Sequence, residues 1–161
     1  MIARNSDSPE DIYTFRGKKL KLPPFTEIYI AEKQDLMLIK NDEQSALYDS
    51  VGNEIYPMSA DEIFVSDLED TFIPIRKGEK WGMINREGHI VALFAYDYLE
   101  TVQQGAEELV IFEQGSKTGI MDTELNVLFE DTQEIRYDKT MGLFYKVGKA
   151  GYFDKNGTMV K

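Results

Sequence analysis

Short apolar stretches alternate with polar, glycine-containing turns along most of the chain. Two examples are residues 72–75 (FIPI), which precede Arg76, and residues 109–112 (LVIF), which lie between Glu108 and Glu113. Stretches of this length, rich in aliphatic and aromatic side chains and bounded by turn residues, predict β-strands. Residues 59–70 and 128–136 are long enough for a helical turn, but neither has an apolar stripe at helical spacing with end caps. The pattern therefore predicts an all-β fold.

A short glycine-containing phrase recurs at regular intervals. Three glycines each follow a lysine by two positions, and a turn residue follows each glycine by six: Gly82 and Gly88, Gly119 and Leu125, Gly151 and Gly157. An earlier copy has Ala46 and Gly52 at the same spacing. The turn positions 17, 52, 88, 125 and 157 are separated by 35, 36, 37 and 32 residues. A period of this length predicts tandem supersecondary units that bury their apolar faces against one another.

Each unit is predicted to contain three strands and a closing connection. The apolar stretch forms the first strand, the repeated glycine lies in the second, and the third strand follows the turn position. The connection ends with an acid before an aliphatic residue, in the phrases FTEI, ADEI and YDYL. A glycine inside a strand predicts a bulge or a close approach of another backbone segment.

The turn between the second and third strands has its own signature. Asp or Asn stands three residues before four of the five turn positions (52, 88, 125 and 157), at 49, 85, 122 and 154. Asp or Asn at the first position and glycine at the fourth predict a type I turn that ends in a positive φ. Leu125 departs from this pattern and is followed by Asn126. One interpretation is that this copy shifts its turn by one residue.

The spacing of the turn positions predicts about five tandem three-stranded β units of 32–37 residues. Residues 1–11 are expected to form a flexible N-terminal tail, and residues 12–161 a single β-repeat domain. The first copy lacks its opening strand and the last copy lacks its closing connection. Because the units start and stop out of phase, the first and last strands could pair and close a propeller-like ring. An open, curved repeat array agrees with the same pattern.

The phrase KWGMINREGHIV, with LFAYDYLE behind it, resembles the WG-repeat family of bacterial β-repeat proteins. Trp81 and Gly82 are the namesake pair, and Ser45, Thr118 and Ala150 take the tryptophan position in the other copies. The resemblance covers roughly residues 12–161. It implies a β-repeat architecture with a binding or scaffolding role and no common catalytic site. It also implies that Trp81 is buried between neighbouring units.

Composition restricts the function classes. The 161 residues include 18 Lys and Arg against 29 Asp and Glu, a net charge of −11, and no cysteine. Disulfides and thiolate metal sites are therefore excluded. No apolar run approaches the roughly 18 residues that span a bilayer. The polar N-terminal stretch lacks the apolar core of a signal peptide, so a cytoplasmic location is expected.

The acidic excess argues against nucleic acid as a partner, because phosphate neutralisation requires clustered Lys and Arg. It favours attraction of a basic protein, although solubility alone would also account for it. The acids concentrate in two stretches, residues 61–70 and 122–134. The candidate partner-binding residues are Asp61, Glu62, Asp67, Glu69, Asp70, Asp122, Glu124, Glu130, Asp131 and Glu134.

The sequence gives little support for a catalytic or metal-binding site. His89 is the only histidine and follows a turn glycine, which does not favour a Ser-His-Asp arrangement. No spacing singles out a pair of carboxylates of the kind used by glycosidases. The phrases DKNG and DSVGN lack the alternating acids and final glutamate of a helix–loop–helix calcium site. We therefore predict no catalytic residue, no metal and no cofactor.

The sequence thus predicts a non-enzymatic, protein-binding β-repeat module. In its sharpest form, the hypothesis is an acidic immunity or inhibitor protein that neutralises a basic toxin domain such as a nuclease. Two alternatives remain, a generic scaffolding repeat and a carbohydrate- or cell-wall-binding repeat. A carbohydrate-binding repeat would need a row of exposed aromatic side chains, whereas a basic partner would need a contiguous acidic face.

Overall fold

The computed structural model describes residues 2–4 (backbone only), 12–13, 19–31, 35–65 and 71–160. These residues form seventeen β-strands and no helix. Every strand pairing is antiparallel, and within each sheet the strands that follow one another in the chain lie side by side. The predicted all-β fold is confirmed.

The strands form four separate sheets, which follow one another along the chain. Sheet 1 contains β1 (Ile2–Arg4), β2 (Glu27–Ala31), β3 (Leu36–Lys40), β4 (Ser45–Asp49) and β5 (Glu54–Ala60). Sheet 2 contains β6 (Glu62–Ile63), β7 (Phe72–Lys77), β8 (Lys80–Asn85) and β9 (Ile90–Tyr96). Sheet 3 contains β10 (Tyr98–Gln104), β11 (Glu107–Gln114), β12 (Lys117–Met121) and β13 (Val127–Asp131). Sheet 4 contains β14 (Ile135–Asp138), β15 (Leu143–Lys146), β16 (Tyr152–Phe153) and β17 (Met159–Val160).

The prediction of three strands per unit is wrong, because the expected connections are themselves strands. The phrases FTEI, ADEI and YDYL end in the first residues of β2, β6 and β10. Their aliphatic residues Ile28, Ile63 and Leu99 are buried. Burial of these side chains brings each segment beside the next apolar strand as a fourth member of the sheet.

The described residues hold four sheets rather than about five units. Residues 20–25, where the first copy was expected to place its third strand, form no strand, and Lys19 makes a single bridge to Tyr13. Residues 2–4, within the segment expected to be a flexible tail, pair as β1 with β2. Residues 5–11 of that segment lie outside the described residues.

The hydrophobic core lies between successive sheets. One cluster joins Leu38 and Leu47 of sheet 1 to Ile75 of sheet 2. A second cluster joins sheets 2 and 3, and a third joins Ile111 of sheet 3 to Phe144 of sheet 4. Because side chains alternate between the two faces of a strand, sheets 2 and 3 each contribute to two clusters. No sheet buries its apolar residues alone.

The outer face of sheet 1 is covered by the segment that precedes it. Leu20 is buried against Met37 and Ile39 of β3, and Leu22 and Phe25 pack beside it. Leu20 also contacts Gly52, so a Cβ at that glycine would lie 2.6 Å from the leucine side chain. Residues 20–25 therefore cover this face of sheet 1 instead of adding a strand.

The predicted turns are confirmed at all four positions. The amide of the turn residue donates to the carbonyl of the preceding Asp or Asn at 3.0–3.1 Å, in the pairs Gly52 to Asp49, Gly88 to Asn85, Leu125 to Asp122 and Gly157 to Asp154. The Oδ1 atom of each Asp or Asn accepts two further backbone amides. The φ angle of the turn residue lies between 65° and 89°.

The suggested one-residue shift at Leu125 is wrong. Leu125 itself adopts the left-handed conformation, with φ 65°, and keeps the turn in the same register as the others. Two contacts offset this strain. The carboxylate of Asp122 accepts from both the amide and the side-chain nitrogen of Asn126, and the Leu125 side chain packs against the cluster between sheets 2 and 3.

The repeated glycines permit close backbone approaches, as predicted. A Cβ at Gly82 in β8 would lie 2.7 Å from the carbonyl oxygen of Ala92, and one at Gly119 in β12 would lie 2.6 Å from that of Phe129. The pairing with the following strand shifts register close to both glycines. Gly151 lies just before β16, with φ 98°.

Trp81 is half-buried rather than fully buried between sheets. Its indole packs at the margin of the cluster between sheets 2 and 3 and meets Tyr98 edge-on, with ring centroids 6.4 Å apart. Trp81 is the second residue of β8 and lies next to the β7–β8 hairpin, where the sheet ends and solvent reaches the ring. The expectation that Trp81 would be largely buried did not take into account this position near the end of the strand.

An alkaline titration tests the packing around two tyrosines. Burial, together with Glu100, raises the pKa of Tyr98 to about 12, and burial with Glu54 raises the pKa of Tyr48 to about 12. Because both values exceed the unfolded value of about 10, the stability they contribute is present below pH 10 and lost as the pH rises towards 12. Tyrosinate absorbance should show a phase above pH 11 that Tyr98→Phe reduces. Absence of that phase from the folded wild type would contradict the burial of these hydroxyls.

Candidate functional site

Each sheet has two distinct ends. The Asp- or Asn-braced turns lie at one end of every sheet, here called the turn end. The hairpins that join β3 to β4, β7 to β8, β11 to β12 and β15 to β16 lie at the opposite end, here called the hairpin end. The position of an acidic residue at one end or the other decides which neighbours it meets.

The first predicted acidic stretch begins at the hairpin end of sheet 2. The Asp61 carboxylate accepts the backbone amide of Gly78 at 2.5 Å, which fixes the β7–β8 hairpin. The Glu62 carboxylate lies 3.3 Å from the guanidinium of Arg76. These two acids therefore serve the packing of their own sheet. Asp67, Glu69 and Asp70 lie outside the described residues.

The second predicted stretch is divided by β13. Asp122 and Glu124 lie at the turn end, whereas Glu130 and Asp131 end the strand on the far side. A strand advances about 3.3 Å per residue, so the five residues of β13 separate the two groups by more than about 13 Å. The stretch is therefore not one patch.

The acids at the hairpin end of β13 are paired with cations. Glu130 lies 2.7 Å from Lys117, and Asp131 lies 2.5 Å from Lys146 of sheet 4. Glu134 forms an ion pair with Arg136. The hydrogen bond from Lys146 holds the pKa of Asp131 below its usual value, so this carboxylate is ionised at neutral pH. These three acids are matched by three cations of the same chain, so the group has no excess of negative charge.

The turn end of sheet 3 forms a different environment. A crevice of about 610 Å³ opens there between elements of sheets 2, 3 and 4. Its lining residues are Thr71, Gln103, Ala106, Glu107, Glu108, Leu109, Asp122, Thr123 and Lys155. Three carboxylates and one ammonium group line this acidic crevice, and Glu124 lies in the braced turn that follows Asp122.

Hydrogen bonds between sheets hold the acidic crevice in shape. The Glu108 carboxylate accepts the amide of Thr71 at 2.8 and 3.0 Å through its two oxygens. The ammonium group of Lys155 lies 2.5 Å from the Glu107 carboxylate. The side chain and amide of Asn126 donate to Asp122 and hold its pKa below the usual value, with Lys155 adding a weaker effect. The Asp122 carboxylate is therefore ionised at neutral pH, and the hydrogen bonds and ion pair position all three carboxylates before any ligand arrives.

Glu107 and Glu108 were missed in the sequence because they stand alone rather than in a dense acidic run. They line the same crevice as Asp122, and Glu108 bonds the amide of Thr71 across the interface between sheets. Thr71 and Glu108 are 37 residues apart, which is one repeat period. The repeat spacing was therefore the one signal that could have connected them.

The acidic crevice suits a cationic side chain. Its carboxylates outnumber its one lysine, and an arginine or lysine entering from solvent would find fixed oxygen acceptors. Among the described residues, no group of three or more His, Asp or Glu side chains has the arrangement needed to hold a metal ion. In the same part of the chain, no helix has the length and apolar character required to cross a membrane.

Comparison with protein-family profiles finds no family that matches the chain, and a search of curated proteins finds no matching sequence.

Proposed function

We propose that this chain is a non-enzymatic protein-binding module whose acidic crevice receives cationic side chains of a basic protein. The observation that carries the proposal is the set of Glu107, Glu108 and Asp122, which face one cavity with only Lys155 as a counter-charge among its lining residues. Fixed carboxylates lose little freedom when a cation binds them, and such preorganisation favours association.

The charge distribution supports a basic partner. Residues 1–133 carry 26 Asp and Glu against 12 Lys and Arg, a net charge of −14. A field of this sign accelerates the approach of a positively charged protein before contact is made. In the sharper form of the proposal, the chain is an immunity or inhibitor protein that neutralises a basic toxin domain, such as a nuclease, in the cytoplasm.

The architecture belongs to the same proposal. We propose a tandem β-repeat of the WG type in which each sheet is one unit of four strands, with β1 added at the edge of sheet 1. The recurrence of the braced turn and of an apolar cluster at every sheet boundary supports it. Since β1 pairs with β2 and the last strand, β17, pairs with β16, an open row is favoured over a ring closed by strand pairing.

Generic scaffolding is the second candidate and would use the same surfaces without a toxin. Carbohydrate binding is less well supported, because the exposed aromatic side chains of the described residues, Tyr13 and Phe64, belong to different segments and form no row. A sugar-binding platform requires aromatic rings that present their faces to solvent together.

Co-expression tests the sharper proposal. Bacteria that produce one of a panel of basic nuclease toxins should regain growth when they also produce this chain, for the toxin that fits the acidic crevice. Rescue should be lost with Glu107→Lys combined with Glu124→Lys and kept with Glu43→Lys combined with Glu79→Lys, a pair that changes net charge equally. Rescue that survives the crevice substitutions would reject the crevice as the inhibitory surface.

A further inference from the structure

The acidic crevice already holds a cationic side chain of its own chain. Lys155 lies in the braced turn of sheet 4, between Asp154 and Gly157, and its side chain reaches back to sheet 3. There its Nζ atom lies 2.5 Å from a carboxylate oxygen of Glu107, a residue 48 positions earlier in the chain. Both side chains line the crevice. This cavity therefore already binds an ammonium group against one of its carboxylates.

The ammonium group of Lys155 acts on a second carboxylate of the crevice as well. The side chain and amide of Asn126 are the main causes of the lowered pKa of Asp122, and the positive charge of Lys155 adds to their effect. An opposite charge lowers the pKa of a carboxyl group in this way only from nearby. Glu108, the third carboxylate, accepts the backbone amides of residues 71 and 72 instead. Lys155 thus lies beside two of the three carboxylates that a partner would use.

The braced turn does not require a lysine at position 155. The second position of a type I turn accepts most residue types. The corresponding residues of the other three braced turns are Ser50, Arg86 and Thr123. In all four turns, the Asp or Asn at the first position accepts the hydrogen bonds that hold the turn. Substitution of Lys155 should therefore leave the turn in place.

The ion pair between Lys155 and Glu107 is open to solvent. The Lys155 side chain is 30% exposed, and the Glu107 side chain is 56% exposed. Ion pairs of this exposure contribute little to stability, because water screens the two charges. The ammonium group can therefore leave Glu107 without disrupting the packing of sheet 4 on sheet 3.

We propose that Lys155 is a displaceable occupant of the acidic crevice, which an arginine of the partner replaces on binding, and that it thereby sets the affinity of the crevice. This inference rests on the proposed function, since it concerns the same site. Arginine is suited to the exchange because its guanidinium group can pair with a carboxylate through two parallel hydrogen bonds. A lysine of the partner would exchange one ammonium contact for another.

Displacement of Lys155 makes binding weaker than the three carboxylates alone would give. The partner must break the ion pair with Glu107 before its own cation meets that carboxylate. The released ammonium group stays nearby and repels the incoming positive charge. Lys155→Met removes both effects, because it deletes the charge and keeps most of the length of the side chain.

Calorimetric titration with a hexa-arginine peptide at about 0.05 M salt tests this role of Lys155. Lys155→Met should bind the peptide about five- to tenfold more tightly than the wild type, because a unit charge a few ångströms from the ligand is removed. Lys155→Arg keeps the cation and should bind no more tightly than the wild type. A hexa-lysine peptide should bind the wild type at least about threefold more weakly than hexa-arginine.

Lys117→Met is the matched control. Lys117 is 57% exposed and lies 2.7 Å from Glu130 at the hairpin end of sheet 3, so this variant changes the net charge equally but away from the crevice. Its affinity for hexa-arginine should rise less than about twofold. In the wild type, the side-chain resonances of Lys155 should also move towards those of a solvated lysine as the peptide binds.

Equal affinities of Lys155→Met and the wild type, in a titration that still shifts the amides of Glu107 and residues 122–126, would overturn the role of Lys155 and leave the proposed function standing. The same increase in both methionine variants, or a Lys155 side chain that does not respond to the peptide, would overturn it as well. Hexa-lysine that binds as tightly as hexa-arginine would contradict the assignment of arginine. If neither the wild type nor Lys155→Met shifts those amides, the proposed function fails and this inference fails with it.

Discussion

Replacing Gly88 with alanine is expected to lower the free energy of unfolding by about 2–5 kcal/mol, since a left-handed backbone costs about 1–2 kcal/mol and overpacking about 1–3 kcal/mol more. Gly88 has φ 83°, and a Cβ built there would overlap the carbonyl oxygen of Ile55 in the neighbouring sheet. Backbone cannot move aside as a flexible side chain can. A thermal melt should therefore show a decrease of about 10 °C in Tm for a domain of this size.

Gly105→Ala is the matched control. Gly105 has a similar positive φ of 65°, but a Cβ there would meet nothing within 4 Å. The free energy of unfolding of this variant should fall only by the cost of the left-handed conformation, about 1–2 kcal/mol. Equal losses for the two variants would mean that sheets 1 and 2 do not approach as closely at Gly88 as described.

Reversing two charges beside the acidic crevice is expected to slow association with a basic partner at least about tenfold at low ionic strength. The variant is Glu107→Lys combined with Glu124→Lys, at two exposed positions. The melting temperature should change little, because exposed ion pairs contribute about 0–1 kcal/mol each. Stopped-flow mixing with the partner identified by growth rescue measures the rate.

Glu43→Lys combined with Glu79→Lys provides the control for this experiment. Both acids are exposed and lie in hairpins at the opposite end of sheets 1 and 2. The net charge changes by the same amount, so a purely long-range effect would slow association equally in both variants. A larger decrease in the association rate for the crevice variant would show that the partner contacts the crevice itself. Equal decreases would indicate only a long-range attraction to the net charge.

Local chemistry made much of the fold predictable from the sequence. The phrase with Asp154 and Gly157 determines a turn through its own side chain and glycine, without help from distant residues. The strand assignments followed in the same way from short apolar runs. The strand that YDYL begins in sheet 3 could not be predicted, because this segment becomes a strand only when Leu99 is buried against sheet 2.

The candidate site was less predictable because it depends on contacts between sheets. The high density of acidic residues in this part of the sequence grouped Asp122 with Asp131. The strand between them places the two carboxylates at opposite ends of sheet 3. Glu108 is placed in the site by its hydrogen bonds to the amide of Thr71, 37 residues earlier in the chain. Leu125 shows the same limit, since its strained backbone is supported by packing that the local sequence does not encode.

The most direct test of the acidic crevice is a titration of the isotopically labelled chain with a hexa-arginine peptide, followed through the backbone amide resonances. At about 0.05 M salt, the largest shifts should fall on Glu107, Glu108 and residues 122–126, and they should decrease at 0.3 M salt as paired charges are screened. The Glu107→Lys and Glu124→Lys variant should lose these shifts, whereas the Glu43→Lys and Glu79→Lys variant should keep them. Shifts spread evenly over the acidic surface, or centred on the hairpin ends, would contradict the assignment of the acidic crevice as the binding site.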